Sequence, residues 1–345
     1  MRVSKANPVL EPAEPTPTED LSLVRRLLRP RTLVSFGVGI AILALGLGRV
    51  QLNLPALAQT VAHANWPLFL AAFLVYYTTF PIRAIRWRLM LENAGSRSAD
   101  VPGIPDLAEI IFLSWFANSV VPAKLGDIYR AYLLRQRSAI SLSKAGGTIV
   151  AERLLDFAVL MLLLLVSGLV SFHGRLPAAL LTVFELGIAA LILALIGLLS
   201  LRRLDAVIYR IIPRRFHRVY DHFHDGMVGS FGRYRSLVAL TILAWGAETG
   251  RLFLVARSLG LALSPNPVIG FLMIVFIALG AALLTAPPGT PAGLGYVEAS
   301  ISGALILFGV SPTAAVSTAL LDRTISFLSL VVGGFIVYLI SQRHA

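Results

Sequence analysis

Ten ionisable residues lie inside or beside the apolar runs of this chain: Lys124, Asp127, Glu152, Arg153, Asp156, Glu248, Arg251, Glu298, Asp322 and Arg323. A charge at the centre of a membrane helix costs about 2.5 to 3.5 kcal/mol on the insertion scale, so such residues persist where they pair, line a pathway, or both. Glu248 and Arg251, three apart on one helical face, are expected to satisfy each other. Arg153 is placed differently: its neighbour Glu152 points elsewhere, and Asp156, three residues on, takes only part of its hydrogen-bonding capacity. Arg323 has Asp322 beside it but no carboxylate three or four residues away. These two arginines are the candidates for holding a lipid headgroup, the competing reading being that they bridge helices structurally. Around them Asp127, Asp156, Glu298 and Asp322 serve as partners or proton carriers. Lys124 either snorkels to an interface or meets the headgroup. Glu298 either caps a half-helix or faces a cation, and Asn118 either joins the site or satisfies backbone groups freed by a break. No catalytic residue, metal or cofactor is expected: the chain has no cysteine, and its six histidines show no metal-binding spacing.

The frame that positions these residues is all-α, a polytopic transmembrane helical bundle. The composition is 57% hydrophobic and 14% charged, and the apolar residues come in runs of about twenty, the length that crosses ~30 Å of hydrocarbon as a helix. The runs are continuous rather than alternating, which excludes a transmembrane β-barrel. Full spans are expected at 33–49, 66–88, 147–172, 177–200, 237–258 and 314–340. Two more apolar segments, 104–138 and 267–310, are broken in the middle, one at Pro122 to Gly126 and the other from Pro287 through Pro291 to Gly295. Such breaks suit hairpins that enter the membrane and return to the same side.

The two breaks are related. Pro122-Ala123-Lys124-Leu125-Gly126 matches Pro291-Ala292-Gly293-Leu294-Gly295, and an arginine with a phenylalanine four residues later (Arg153 with Phe157, Arg323 with Phe327) follows the last glycine by 27 or 28 residues. Three full spans separate the hairpins, so one opens inside and the other outside. The expectation is an inverted repeat, with repeat one over about 104–172 and repeat two over about 267–340. In transporters so built, substrate meets the repeat interface near the midplane. Proline suits the first turn of each returning half-helix, glycine allows the bend, and the half-helix N-termini favour phosphate.

Charge distribution orients this layout. With the amino terminus inside, the cytoplasmic segments collect Arg25, Arg26, Arg29 and Arg31, then Arg83, Arg86, Arg88 and Arg97, then Arg130, Arg135, Arg137 and Lys144. The basic cytoplasmic loop 201–236 adds eight more arginines, among apolar residues that suit an amphipathic helix on anionic lipid. Both termini are then cytoplasmic. The net charge of +12 follows from this bias and implies an anionic phospholipid surface as partner, not nucleic acid. Residues 1–24, rich in proline and acid, read as a disordered cytoplasmic tail ahead of a single integral membrane domain, 25–345. Arg83, Arg86, Trp87 and Arg88 read as an interfacial anchor at the end of the second span.

The ordered set of pieces resembles a known family. Arg83-Ala84-Ile85-Arg86-Trp87-Arg88, Asn118 with Pro122 through Ala131, Glu152-Arg153 with Asp156, Pro291 through Gly295 with Tyr296 and Glu298, and Arg323 together look like the transmembrane region of lysylphosphatidylglycerol synthases. This is the flippase half of the multiple peptide resistance factor, together with its stand-alone relatives. The resemblance implies a lipid-handling protein of the bacterial inner membrane. Full-length members synthesise aminoacylated phosphatidylglycerol and move it outward. This chain reaches Ala345 shortly after the last span with no aminoacyl-transferase domain, so synthase activity is not expected. The functional expectation is a lipid flippase for an amphipathic, phosphate-bearing lipid. The alternatives are a membrane-embedded lipid-modifying enzyme using Asp127, Glu152 and Asp156, and a scaffold for a lipid-biosynthetic enzyme, including one of a hopanoid or glycolipid pathway.

Overall fold

The computed structural model describes residues 30–49, 54–121, 125–284 and 290–343, which hold fourteen α-helices and no strand. The leading helices are α1 (Pro30–Arg49), α2 (Leu54–Ala62), α3 (Trp66–Tyr77) and α4 (Thr79–Asn93). The first hairpin and its successor follow as α5 (Ile104–Val120), α6 (Gly126–Arg137) and α7 (Leu142–Ser171). Then come α8 (Ala178–Ile211), α9 (His217–Gly229) and α10 (Tyr234–Ser258). The second hairpin and its successor are α11 (Pro267–Leu284), α12 (Tyr296–Leu307), α13 (Pro312–Arg323) and α14 (Leu330–Arg343), with a π-helical segment, Thr324–Ser329, joining the last two. The expected tail at 1–24 lies outside the described residues.

Local chemistry sets several of the starts. Asn65, Ser141 and Ser311 cap α3, α7 and α13 by accepting the backbone N–H groups of Leu68, Lys144 and Ala314. Proline follows directly in α3 and α13, where its missing N–H costs nothing.

Six helical stretches among the described residues are long and apolar enough to cross a bilayer: Trp66–Asn93, Leu142–Ser171, Ala178–Ser200, Tyr234–Ser258, Pro267–Leu284 and Pro312–Ser341. The chain is a multi-pass membrane protein. Five of the six coincide with expected spans. The sixth, α11, was expected only as one limb of a broken hairpin, but its 18 residues end just before the break and suffice in length to cross alone. The expected span at 33–49 forms the 20-residue α1.

At the centre, α10 runs antiparallel to α3 and α4. The Asn65 N–H donates to the Ser258 carbonyl at 2.7 Å at one end, and Arg86 donates to the Thr241 hydroxyl at 2.8 Å toward the other. Each hairpin then packs across onto the other half of the chain: α5 lies against α14, and α11 lies against α7. An aromatic stack of Tyr76, Tyr77, Phe80, Phe112 and Trp115 fills the seam between α3, α4 and α5.

The stretch 201–236 departs from a loop. α8 continues as helix to Ile211, and α9 docks on α7 instead of lying free on a lipid surface. Glycine permits the approach: a Cβ on Gly147 would stand 2.2 Å from the Phe223 carbonyl, and one on Gly226 would stand 2.3 Å from that of Lys144. The apolar face of α9 is therefore consumed by protein, with Phe223 and Met227 packed alongside Met90 and Ala151, while Arg214 and Arg215 stay exposed. Within the span Ala178–Ser200, by contrast, only 6% is buried, as suits a helix facing lipid.

Candidate functional site

The two hairpin tips meet inside the bundle, where α5 touches the turn Pro291–Gly293. At the first tip, the Asn118 Oδ1 accepts the Gly126 N–H at 2.8 Å, and the Ser114 hydroxyl donates to the Gly126 carbonyl at 2.9 Å. Backbone groups freed by the break are thus satisfied by side chains, and Asn118 does so while also lining the cavity described below. A Cβ on Gly126 would fall 2.1 Å from the Ser114 carbonyl, so glycine is required there. Pro122 and Lys124 lie outside the described residues.

The second tip turns through left-handed backbone at Ala292, Gly293 and Gly295, with φ of 46°, 68° and 88°. Pro291 is buried at its start. The Gly295 N–H donates to Glu298 Oε2 at 2.7 Å, so Glu298 caps α12. Glu298 also takes a cation, and both expectations for it are met by one carboxylate: Arg323 Nε donates to its Oε1 at 2.8 Å.

A cavity of about 510 Å³ opens between the tips. Arg153 and Arg323 both line it, together with Arg83 and Arg251 and the carboxylates of Asp127, Asp156 and Glu248. Arg153 grips Asp127 with two bonds, of 3.0 Å and 2.6 Å, while Asp156 stands 4.0 Å away. Arg323 holds Glu298 and also donates to the Ala292 carbonyl at 3.1 Å. In each half, then, the arginine reaches back to an acid just past the hairpin break.

The neighbouring acids turn the other way. Glu152 binds Arg86 at 2.9 Å and Arg130 at 2.9 Å, and Asp322 binds Arg251 at 2.7 Å and 3.1 Å. Arg86 and Arg251 sit on the spans that precede the two hairpins, α4 and α10. The two halves thus share a wiring pattern: acid to the preceding span, arginine to the returning limb.

Two expectations need correction. Glu248 does not pair with Arg251; it accepts from Arg83 at 2.6 Å, because Arg251 is drawn to Asp322, whose side chain has 0% exposure and needs a cation beside it. Nor is the Arg83 to Arg88 segment an interfacial anchor as a whole. Arg83, Arg86 and Trp87 are buried, with Arg86 against Asp156 at 2.5 Å and the Trp87 indole donating to Thr148 at 3.0 Å. Only Arg88 points outward, to Glu92 and the carbonyls of Ser98 and Pro102. A Trp–Arg cluster reads the same from composition at an interface or in a charged core. The signal available was spacing, since Arg83 and Arg86 share one helical face, as do Glu152 and Asp156 four apart. Arg130, stacked 3.8 Å over Trp87, was likewise missed as a member of the network.

Counted together, Arg83, Arg86, Arg130, Arg153, Arg251 and Arg323 meet Asp127, Glu152, Asp156, Glu248, Glu298 and Asp322, so six positive charges face six negative ones. Among the described residues no cluster of His, Asp and Glu could hold a metal ion. The arrangement suits binding and release of a charged group by exchange of ion-pair partners.

Comparison with known proteins places this wiring in a family. The family described as the lysylphosphatidylglycerol synthase TM region matches residues 34–334. The chain belongs to this family. Among its relatives, a UPF0104 membrane protein of Methanocaldococcus jannaschii is 31% identical over 230 residues, covering 66% of this chain and 95% of the relative. Another, from Pyrococcus horikoshii, is 24% identical over 338 residues, covering 88% of this chain and 95% of the relative. The glycosyltransferase AglD of Haloferax volcanii is 26% identical over 357 residues; 91% of this chain aligns with 55% of that protein. No solved structure matches the chain.

Proposed function

We propose that this family member moves an amphipathic lipid with a phosphate-bearing headgroup between the leaflets of the cytoplasmic membrane, with both termini inside. The observation that carries the reading is the convergence of Arg153 and Arg323 on one cavity at which both hairpin tips end. Arg153 is accessible, with its side chain 45% exposed, whereas Arg323 is 11% exposed. Two similarly wired ion pairs, one open and one closed, suit a carrier that exposes its site to one side at a time.

The packing supports an inverted repeat as the basis of that alternation. Exchanging the halves maps α5 against α14 onto α11 against α7, and both contacts are present. It also maps Arg153–Asp127 onto Arg323–Glu298, and Arg86–Glu152 onto Arg251–Asp322. The lipid tails would stay in hydrocarbon while the headgroup crosses by exchanging partners among these arginines, with Asn118 and the acids Asp127, Asp156, Glu298 and Asp322 completing the path.

The test reconstitutes the purified chain in liposomes carrying fluorescent phospholipids. The orientation of the protein is fixed by labelling a cysteine introduced at Arg214 of this cysteine-free chain. The label reached by an impermeant quencher should rise well above the protein-free level. Protein that is folded but moves none of an acidic, zwitterionic and lysyl-modified panel would contradict the proposal.

The relative named as a glycosyltransferase favours a second reading, in which the membrane domain serves sugar transfer on a lipid, either as an enzyme or as the seat of a biosynthetic partner. Formation of a glycosylated product from a tagged lipid by the purified chain would decide for it.

A further inference from the structure

We infer that an anionic headgroup enters this cavity together with one proton, and that Asp127 is the residue that takes it. The inference rests on the proposed lipid movement and adds the co-substrate. Its first premise is the charge balance: six arginines and six carboxylates surround the cavity, so an arriving phosphate leaves the network with an uncompensated negative charge inside the membrane. Neutralising one carboxylate restores the balance.

The geometry selects which one. Arg153 is the most accessible of the paired arginines around the cavity, and a phosphate that binds it bidentately takes the place of Asp127, both of whose oxygens are bonded to that guanidinium. Asp127 is then left beside a new anion without its cation, the arrangement in which a carboxylate holds a proton. Groups on neighbouring helices do not replace the lost partner. Arg130, on the same helix, is committed to Glu152, and on α7 Asp156 already shares Arg83 and Arg86. The adjacent face of α5 brings the neutral Asn118, whose oxygen is held by Gly126. Glu298 differs, because when Arg323 leaves it the Gly295 N–H still binds its other oxygen. The proton comes from the water to which the cavity opens and returns to water when the headgroup leaves and Arg153 closes on Asp127 again.

The sign of the pH dependence follows. Asp127 is ionised while it holds Arg153 and protonated in the complex, so binding consumes a proton and weakens as pH rises between the two titrations, tenfold per pH unit at most. The full chain in zwitterionic nanodiscs is titrated with short-chain fluorescent phosphatidylglycerol, a phosphodiester whose own charge stays fixed, and with the phosphatidylcholine analogue. The expected result is a Kd for phosphatidylglycerol that climbs toward tenfold per pH unit, with a much smaller slope for phosphatidylcholine. Asp127→Asn should bind phosphatidylglycerol with no slope and at least as tightly as the wild type does at low pH, while Asp127→Glu should keep the slope. Saturable binding that is flat with pH in the wild type, or a slope that survives in Asp127→Asn, overturns the proton while leaving lipid binding intact. If Asp127→Asn does not fold, the contrast between the two lipids on the wild type decides alone. Absence of saturable phosphatidylglycerol binding at every pH overturns this inference and the proposed function together.

Discussion

Arg86→Met is expected to prevent the protein from accumulating in a folded form. Arg86 is fully buried and is the cation shared by Glu152 and Asp156, with the Thr241 hydroxyl as its third partner. Methionine fills similar volume but leaves both acids short of charge at a depth where water cannot help. Breaking one buried pair costs about 3 to 5 kcal/mol, against a total stability of about 5 to 15 kcal/mol for a typical domain. Size-exclusion profiles after stepwise heating in detergent should show most of the variant aggregated where the wild type is still monodisperse. Arg137→Met is the comparison: its partner Glu109 is at the surface, with side chains 27% and 32% exposed, and such pairs are worth about 0 to 1 kcal/mol. Adding Glu152→Gln to Arg86→Met should recover part of the loss, since it removes one of the stranded charges. A stable Arg86→Met protein would mean that the network is not what holds α4 to α7.

Arg153→Ala and Arg323→Ala should each suppress lipid movement while the protein stays folded. Neither belongs to the fully buried part of the network. Arg153 is half exposed, and the carboxylate that Arg323 leaves behind keeps the Gly295 N–H. Truncating one partner of a hydrogen-bonded charge pair to a ligand costs about 2 to 5 kcal/mol, so about 30-fold or more in the rate of label reaching the outer quencher is expected. Arg153→Lys should retain a fraction of the rate, because lysine keeps the charge but cannot grip a phosphate with two parallel bonds. If the halves act in turn on the same headgroup, the two alanine variants should be impaired to similar degrees. Loss in one alone would indicate that the headgroup meets a single arginine and that the other is a strut.

Much of this frame was readable from periodicity and length. A helix that crosses hydrocarbon needs about twenty apolar residues and has no alternative structure there, so the expected spans and both breaks fall close to the helix ends observed. Arg153 and Arg323 stood out because no acid on their own helices could satisfy them, and their partners proved to be Asp127 and Glu298 on the returning limbs. Partner choice across helices was not readable. Glu248 and Arg251 satisfy the spacing rule for an intrahelical pair, yet each is claimed by another helix, because Arg83 and Asp322 are buried opposite them. The role of Arg83 and Arg86 was hidden for a similar reason, since composition places arginine and tryptophan equally at an interface and in a charged core. The docking of α9 depended on Gly147 and Gly226 facing each other's backbones, a coincidence of two surfaces far apart in the chain.

The central claim, that lipid passes through the cavity between the hairpin tips, is tested most directly by blocking that cavity reversibly. Ala278 lines it, is only partly buried, and stands outside the ion-pair network, and the chain has no native cysteine. Ala278→Cys protein reconstituted in liposomes is assayed for lipid movement, modified with a bulky methanethiosulfonate reagent, assayed again, and then reduced. The account predicts that movement stops on modification and returns on reduction. Unchanged movement with the cysteine fully modified would show that the lipid does not use this cavity.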